Sequence, residues 1–394
     1  MLKSFFKLFS GNAAAQAIQL LALLFLTSLY IPDDFGKLGK IQSFASILSL
    51  FITLQMNHAI PLTKGDDKAE ELTRTVFKIS FLTFLLSFIS LIFVDLDYTY
   101  GIILSLVLGL SNTINGYLIY KGNFSIISVL YIVRAIAIVS LQFLFYYLKI
   151  PDGLLYGALL GEFSGFLYLY AQNYSKVNFN FRIDFSVIKE KIIEWKSFSL
   201  HGTVQELLSA AIYALPMIFY TEKFSENIGG QYSIAFKVIY APTVLVSSSL
   251  TQVLYHRFSQ ADGFKFLEKF VWFDKRFLIL VALLLVLLFN IDFIDLAFLD
   301  GKWDIAIALL PYMFINAMFF LFASPYRIAL RTLKLNKLIL QVELITIVLM
   351  TALFLFIDIA VIEFTIIITA IGVIQNILIT LNYKAYEKKN SKNS

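Results

Sequence analysis

The chain has no cysteine and only three histidines among its 394 residues. Disulfides, cysteine nucleophiles and thiolate metal sites are therefore excluded. The histidines are scattered and form no HExxH or similar zinc pattern. No GxxxxGK[ST] phosphate-binding loop is present, so ATP hydrolysis is not expected. We predict no catalytic residues, no bound metal and no cofactor.

Charge is scarce as well. Only 15% of the residues are charged and 59% are hydrophobic, whereas soluble proteins have about 25% charged and 45–50% apolar residues. The 40 Phe and 21 Tyr are typical of lipid-facing surfaces and interfacial belts. This composition predicts an all-α, polytopic membrane protein. The net charge of +5 follows from where Lys and Arg are placed along the chain, so we do not expect nucleic-acid binding.

Apolar runs long enough to cross a hydrocarbon core of about 30 Å recur roughly twelve times. No small-residue cleavage site follows the first run, which is therefore predicted to be a retained span and not a signal peptide. The predicted spans are 5–30, 38–60, 76–94, 99–120, 125–148, 152–172, 197–220, 229–254, 276–291, 303–324, 337–357 and 360–382.

Basic residues concentrate in alternate connections between these runs, and the intervening connections are short and acidic. The basic connections are 64–78, 176–196, 257–276, 327–337 and the tail 384–392. Positively charged connections stay on the cytoplasmic side of a membrane. Both the even number of spans and the charge bias therefore predict that both termini are cytoplasmic.

The long basic connection at 176–196 divides the chain into two predicted lobes of about six spans each, 1–185 and 186–394. The sequence FSGNAAAQ at 9–16 aligns with FSLHGTVQ at 198–205. An even number of spans in each half would give the two copies the same orientation, related by an axis along the membrane normal.

The first 80 residues resemble a known family. The residues that carry this resemblance are the Ser-Gly opening with Gln16, the turn IPDDFGK, and NHAIPLTKGDDKAEELTRTVFKIS before the third span. They resemble Wzx-type O-antigen and capsule polysaccharide-unit flippases of the multidrug/oligosaccharidyl-lipid/polysaccharide (MOP) exporter superfamily. The resemblance implies two six-helix lobes in a V-shaped, MATE-like bundle around a central cavity.

The resemblance also implies a function. Such a carrier moves an undecaprenyl-diphosphate-linked oligosaccharide from the cytoplasmic to the periplasmic leaflet of the bacterial inner membrane. Its expected partners are this lipid-linked substrate, membrane lipids, a coupling ion, and the polysaccharide polymerase and chain-length proteins.

Four cations are candidates for binding the diphosphate, because Arg offers two parallel donors and Lys a point charge. Arg134 in the fifth span either faces a cavity or forms an ion pair with Glu162 in the sixth. Lys237 lies in the eighth span, where Pro242 and the run Ser247–Ser249 favour local irregularity. It either faces the cavity and holds the substrate anion, or forms a structural ion pair or extends to the membrane surface. Arg327 and Arg331 are either anchors at the headgroup level, as His58 is, or a first contact for the diphosphate.

Uncharged polar residues on two helices are candidates for contacting sugars. Asn12 and Gln16 form a stripe on the first span, and the internal repeat places His201 and Gln205 on an equivalent stripe. His201 at a helix start is alternatively an interfacial residue.

Three carboxylates are candidates for ion coupling, because a buried carboxylate can bind H⁺ or Na⁺. They are Glu162, Glu206 and Glu343. The alternative is a structural hydrogen bond to a neighbouring helix.

Two other functions remain open. A MATE-like drug/cation antiporter of the same superfamily should have a predominantly acidic cavity. A membrane-embedded glycosyltransferase or polysaccharide polymerase needs a carboxylate cluster in a sizeable loop. Asp95 and Asp97 form a DxD motif, but their connection is too short to hold a nucleotide site. We therefore predict a carrier and no enzyme.

Overall fold

The computed structural model describes residues 2–92, 95–173, 184–258, 275–289, 301–333 and 335–391. These residues form helices and contain no strand, which confirms the predicted all-α class. The α-helices are α1 (Leu2–Leu29), α2 (Pro32–Ile52), α3 (Asp66–Ser87), α4 (Tyr98–Tyr120), α5 (Phe124–Tyr147), α6 (Gly153–Asn173), α7 (Phe185–Glu194), α8 (Thr203–Lys223), α9 (Glu226–Phe258), α10 (Lys275–Phe289), α11 (Asp304–Thr332), α12 (Asn336–Phe356) and α13 (Val361–Ser391).

Among the described residues, eight helices are long and apolar enough to cross a membrane. A ninth span is formed if α2 and the bent segment Met56–Leu62 are counted together. The predicted spans at 76–94, 229–254 and 276–291 coincide with α3, α9 and α10, which are not among these eight helices. The chain is therefore a multi-pass membrane protein.

The turn between α1 and α2 follows directly from the sequence IPDDFG. Ile31 is extended, Pro32 begins α2 with its φ angle already suited to a helix, and Asp33 and Asp34 lie in the first turn. The backbone N–H of Ile31 donates to Oδ2 of Asp34 over 3.1 Å, which stabilises the helix start.

Two segments depart from regular α-helix. After Ile52, Leu54 and Gln55 adopt positive φ angles of 46° and 52°, and the chain continues as Met56–Leu62 at an angle of 62° to α2. Before α8, the residues Ser197–Gly202 form a π-helix. Neither departure begins at a glycine or a proline.

Contacts cluster into two compact units, Met1–Ile218 and Phe219–Ser394. In the first unit α5 packs against α1 and α6, and α4 packs against α2, α3 and α6. In the second unit α11 packs against α9 and α13, and α12 packs against α13. The lobe boundary between residues 185 and 186 stays a prediction from the sequence.

Several helices continue well past the apolar runs that predicted them. The connection predicted at 327–337 contains the last turns of α11, which ends at Thr332, and the start of α12 at Asn336. Hydropathy marks where a chain leaves the hydrocarbon region, whereas a helix ends only where its backbone hydrogen bonding ends. Arg327 and Arg331 therefore lie on a helix and not in a loop.

Candidate functional site

In the first unit, Arg134 on α5 and Glu162 on α6 form an ion pair. Nη1 of Arg134 lies 3.4 Å from Oε2 of Glu162, and the two side chains are 34% and 13% exposed. Nε of Arg134 is buried and has no hydrogen-bond partner in the described part of the chain. The pairing that the sequence suggested is therefore present, and one guanidinium donor remains available.

Glycines on α6 bring the two helices close enough for this pair. Gly157, Gly161 and Gly165 recur every fourth residue and share one face. A Cβ atom added to Gly161 would lie 2.6 Å from Cα of Ile138 on α5, and one added to Gly165 would lie 3.3 Å from Cγ of Arg134. The absence of side chains on this face positions α5 against α6.

The polar stripe on α1 flanks its contact with α5. Gly11 meets Ser128 of α5, and a Cβ at Gly11 would lie 2.9 Å from Cα of Ser128. Ala15, one turn later, is buried. Asn12 and Gln16 follow these residues in sequence and are half-buried, so they lie beside the helix contact with part of each side chain accessible.

The start of α8 places three predicted site residues around the π-helix. His201 lies within the π-helix and is exposed, and Gln205 and Glu206 follow in the first turn of α8, half-buried. The segment Met56–His58 contacts the π-helix. The carboxylate of Glu206 interacts electrostatically with His58. The two irregular segments of the first unit thus bring a carboxylate and an imidazole together.

In the second unit, α11 and α12 contribute what we call the Arg327 cluster: Arg327, Arg331 and Glu343. Nη1 of Arg327 lies 3.5 Å from Oε1 of Glu343, and their side chains are 11% and 0% exposed. The guanidinium carbon of Arg327 also lies 5.7 Å from the centroid of the Phe320 ring. Arg327 is therefore held inside the helix bundle and does not extend outward as an anchor.

The Arg327 cluster has more donors than acceptors. Nε and Nη2 of Arg327 and Nε of Arg331 are buried and have no hydrogen-bond partner among the described residues. Arg331 follows Arg327 by one helical turn and faces the same side of α11. Buried donors are normally paired, so this cluster can accept an anion with several oxygen atoms.

Lys237 is half-buried on α9. Pro242 lies inside this helix, which continues past it, and the hydroxyl of Thr243 donates to the carbonyl of Ile239 over 2.7 Å. Such side-chain bonds help satisfy the backbone near an intrahelical proline. Further along α9, the hydroxyls of Ser247 and Ser324 lie 3.2 Å apart and join α9 to α11.

The sequence interpretation missed several buried polar residues. Lys40 on α2 is 6% exposed, and its Nζ lies 5.5 Å from the centroid of the Tyr98 ring. On α13, Asn376 donates to the carbonyl of Gly372 over 2.8 Å, while its Oδ1 is buried without a partner in the described part. Both residues could have been found from the sequence, because a lysine and an amide stand within apolar runs at these positions.

The comparisons with known proteins concern both the family and the fold. The model of the family described as "Polysaccharide biosynthesis protein" matches residues 1–262. No curated protein matches the chain in sequence.

Solved structures of transporters match the fold over nearly the whole chain. One is lipid II flippase MurJ in an inward closed conformation, with a TM-score of 0.68, 14% identity, and coverage of 98% of this chain and 88% of that chain. Another is an inward-facing multidrug resistance MATE family transporter of the MOP superfamily, with a TM-score of 0.60, 14% identity, and coverage of 98% and 96%. A MOP superfamily transporter from Pyrococcus furiosus matches with a TM-score of 0.54, 12% identity, and coverage of 98% and 95%. The chain therefore has the MOP transporter fold.

Proposed function

The chain belongs to the polysaccharide biosynthesis protein family, and on this premise we propose that it is a flippase for polyprenyl-diphosphate-linked oligosaccharides. The proposed substrate class is an O-antigen or capsule repeat unit carried on undecaprenyl diphosphate. The unit passes from the cytoplasmic to the periplasmic leaflet of a bacterial inner membrane by alternating access. In this proposal both termini are cytoplasmic, and the polysaccharide polymerase and chain-length proteins act on the delivered unit.

The Arg327 cluster is the observation that carries this proposal. Two arginines and one carboxylate leave surplus positive charge, and three buried guanidinium nitrogens lack hydrogen-bond partners in the described residues. A diphosphate supplies several charged oxygen acceptors and matches guanidinium geometry. Arg134 offers a further buried donor, and Lys237 is a proposed second contact. An antiporter for organic cations would instead need an excess of carboxylates.

Sugars of the repeat unit require uncharged donors and acceptors. We assign this role to Asn12, Gln16, His201 and Gln205, which are partly accessible and lie next to helix contacts or the π-helix. Their amide and imidazole groups form hydrogen bonds with the sugar hydroxyls in place of water, while the polyprenyl chain stays in lipid.

Glu206 is the preferred residue for coupling transport to H⁺ or Na⁺. Glu162 and Glu343 each face an arginine, whereas Glu206 interacts with His58. Carboxylate and imidazole side chains at membrane depth can form proton relays. Glu206→Gln should make export independent of the ion gradient, measured in vesicles with and without an imposed gradient. Unchanged gradient dependence would remove Glu206 from this role.

Depletion of the protein tests the function itself. Lipid-linked repeat units should accumulate in full-length form on the cytoplasmic leaflet, detected by their resistance to a glycosidase applied outside spheroplasts. Missing or truncated units would point to a glycosyltransferase. Normal export of units, together with lost efflux of a fluorescent organic cation, would point to the cation antiporter.

A further inference from the structure

Helix α7 has one face fixed to the rest of the first unit. Ile188 is 7% exposed and belongs to a core cluster with Leu72 and Val76 of α3. Nζ of Lys191 lies 3.5 Å from Glu71 of α3 and 3.0 Å from Glu194. Partial burial lowers the pKa of Lys191, but the hydrogen bond to Glu194 and the Glu71 carboxylate outweigh this effect and raise it overall. The helix is thus anchored in a defined rotation.

This rotation gives α7 two different outer faces. Phe185, Lys189 and Ile193 follow one another at four-residue intervals and share a face. Phe185 is 69% and Ile193 is 60% exposed, and Lys189 is exposed. Glu190 and Glu194, also four residues apart, are displaced by about 100° around the helix. One outer face is therefore apolar and basic, and the other is acidic.

The apolar and basic face continues into a membrane span. The span Ser197–Lys223 begins three residues after α7 ends. Leu200 and Val204, at its start, are 56% and 54% exposed, as expected for residues that face lipid. A helix joined so closely to the end of a span lies at the level of the headgroups.

The charge and polarity of the Phe185–Lys189–Ile193 face indicate what binds to it. Large apolar side chains with an interleaved lysine suit an interface where hydrocarbon meets anionic headgroups, because lysine extends its ammonium group toward phosphate. Lys196, exposed just after α7, adds a second cation. The acidic face would be repelled by the same headgroups and turns to water.

We propose that α7 docks its Phe185–Lys189–Ile193 face onto the anionic headgroup layer of the membrane. The ligand is the phosphate layer of acidic phospholipids, and its binding holds the segment that precedes α8. This inference goes beyond the proposed transport function and does not depend on the identity of the transported substrate.

Because the chain has no cysteine, single labelling sites give a direct test. Ile193→Cys and Glu194→Cys are adjacent, exposed positions on the two outer faces, and each is labelled with a small fluorophore in full-length protein. The protein is placed, one copy per disc, in nanodiscs of phosphatidylcholine with 30% phosphatidylglycerol. Iodide should quench the label at 194 at least threefold more strongly than the label at 193, and doxyl-lipid should show the reverse order. Equal iodide quenching at both positions would overturn the proposal.

The charge requirement is tested in the same assay. Lys189→Glu combined with Ile193→Cys should raise iodide quenching about twofold in discs that contain phosphatidylglycerol, and discs of pure phosphatidylcholine should already show the raised value. Protection of position 193 that is the same in both lipids and insensitive to Lys189→Glu would overturn the role of anionic lipid. Protection that appears only when two copies share a disc would assign the face to a second copy and also overturn the proposal.

Discussion

Two ion pairs in the protein each join an arginine on one helix to a glutamate on the next helix: one pair joins α5 to α6, and the other joins α11 to α12. The two pairs differ in their surroundings. Arg134 and Glu162 are 34% and 13% exposed, and this pair contains one cation and one carboxylate. Glycines on α6 let the two helices pack closely at this pair. Arg327 and Glu343 are 11% and 0% exposed, and Arg331 adds a second cation. The first pair links two helices and its charges balance. The second has one more cation than carboxylates because Arg331 lies beside it.

The largest effect should come from breaking the deeper pair. Arg327→Met removes the guanidinium that pairs with the fully buried Glu343 carboxylate, so we expect a loss of about 3–5 kcal/mol in the free energy of unfolding. Thermal unfolding in detergent measures the loss. Arg327→Met with Glu343→Gln removes both charges and should recover most of the stability. A double variant as unstable as the single one would show that the pair itself does not explain the effect.

Closer helix packing in the first unit gives the next effect. Gly161→Ala forces a Cβ to within 2.6 Å of Cα of Ile138, and we expect overpacking to cost about 1–3 kcal/mol. Gly165→Ala is the matched control, since its nearest contact is the flexible Arg134 side chain at 3.3 Å. Equal melting temperatures for the two variants would contradict the close approach at Gly161.

A variant of Arg331 tests whether the surplus positive charge is needed for export without a large change in stability. Arg331 has no ion pair among the described residues, so Arg331→Ala should lower export about tenfold, equivalent to ~1.4 kcal/mol, with little change in melting temperature. Arg331→Lys should retain part of the export. Arg74→Ala removes an arginine that is 46% exposed on α3 and serves as the control with normal export. Normal export by Arg331→Ala would remove the surplus charge from the mechanism.

A smaller stability loss than at the deeper pair is expected at the partly exposed pair of Arg134 and Glu162. Arg134→Ala should cost less than Arg327→Met, because the Glu162 carboxylate that it leaves is 13% exposed whereas Glu343 is fully buried. A loss as large as that of Arg327→Met would mean that the two pairs do not differ as their burial indicates. Export measured at equal protein levels shows whether the free donor of Arg134 also contributes to transport.

Sequence predicted the features that depend on local composition. The apolar runs located the helices, IPDDFGK located the first turn, and the depths of Arg134 and Glu162 suggested their pairing. Arg327 was harder, because the hydropathy boundary placed it in a connection while α11 continues to Thr332.

Other features depend on packing between distant segments. Leu54 and Gln55 adopt positive φ angles although neither residue favours them, so tertiary contacts must enforce the bend. The proximity of His58 and Glu206 depends on that bend and on the π-helix together. No periodicity within a single run could have shown it.

The π-helix at Ser197–Gly202 changes the directions in which the side chains of α8 point. A π-turn holds one residue more than an α-helical turn, and one residue corresponds to about 100° of rotation. All residues after it are therefore turned by this angle relative to an uninterrupted helix. If the wide turn closed, Gln205 and Glu206 would rotate away from their present direction, in which the Glu206 carboxylate interacts electrostatically with His58. A single segment of six residues thus sets the angular phase of the entire span.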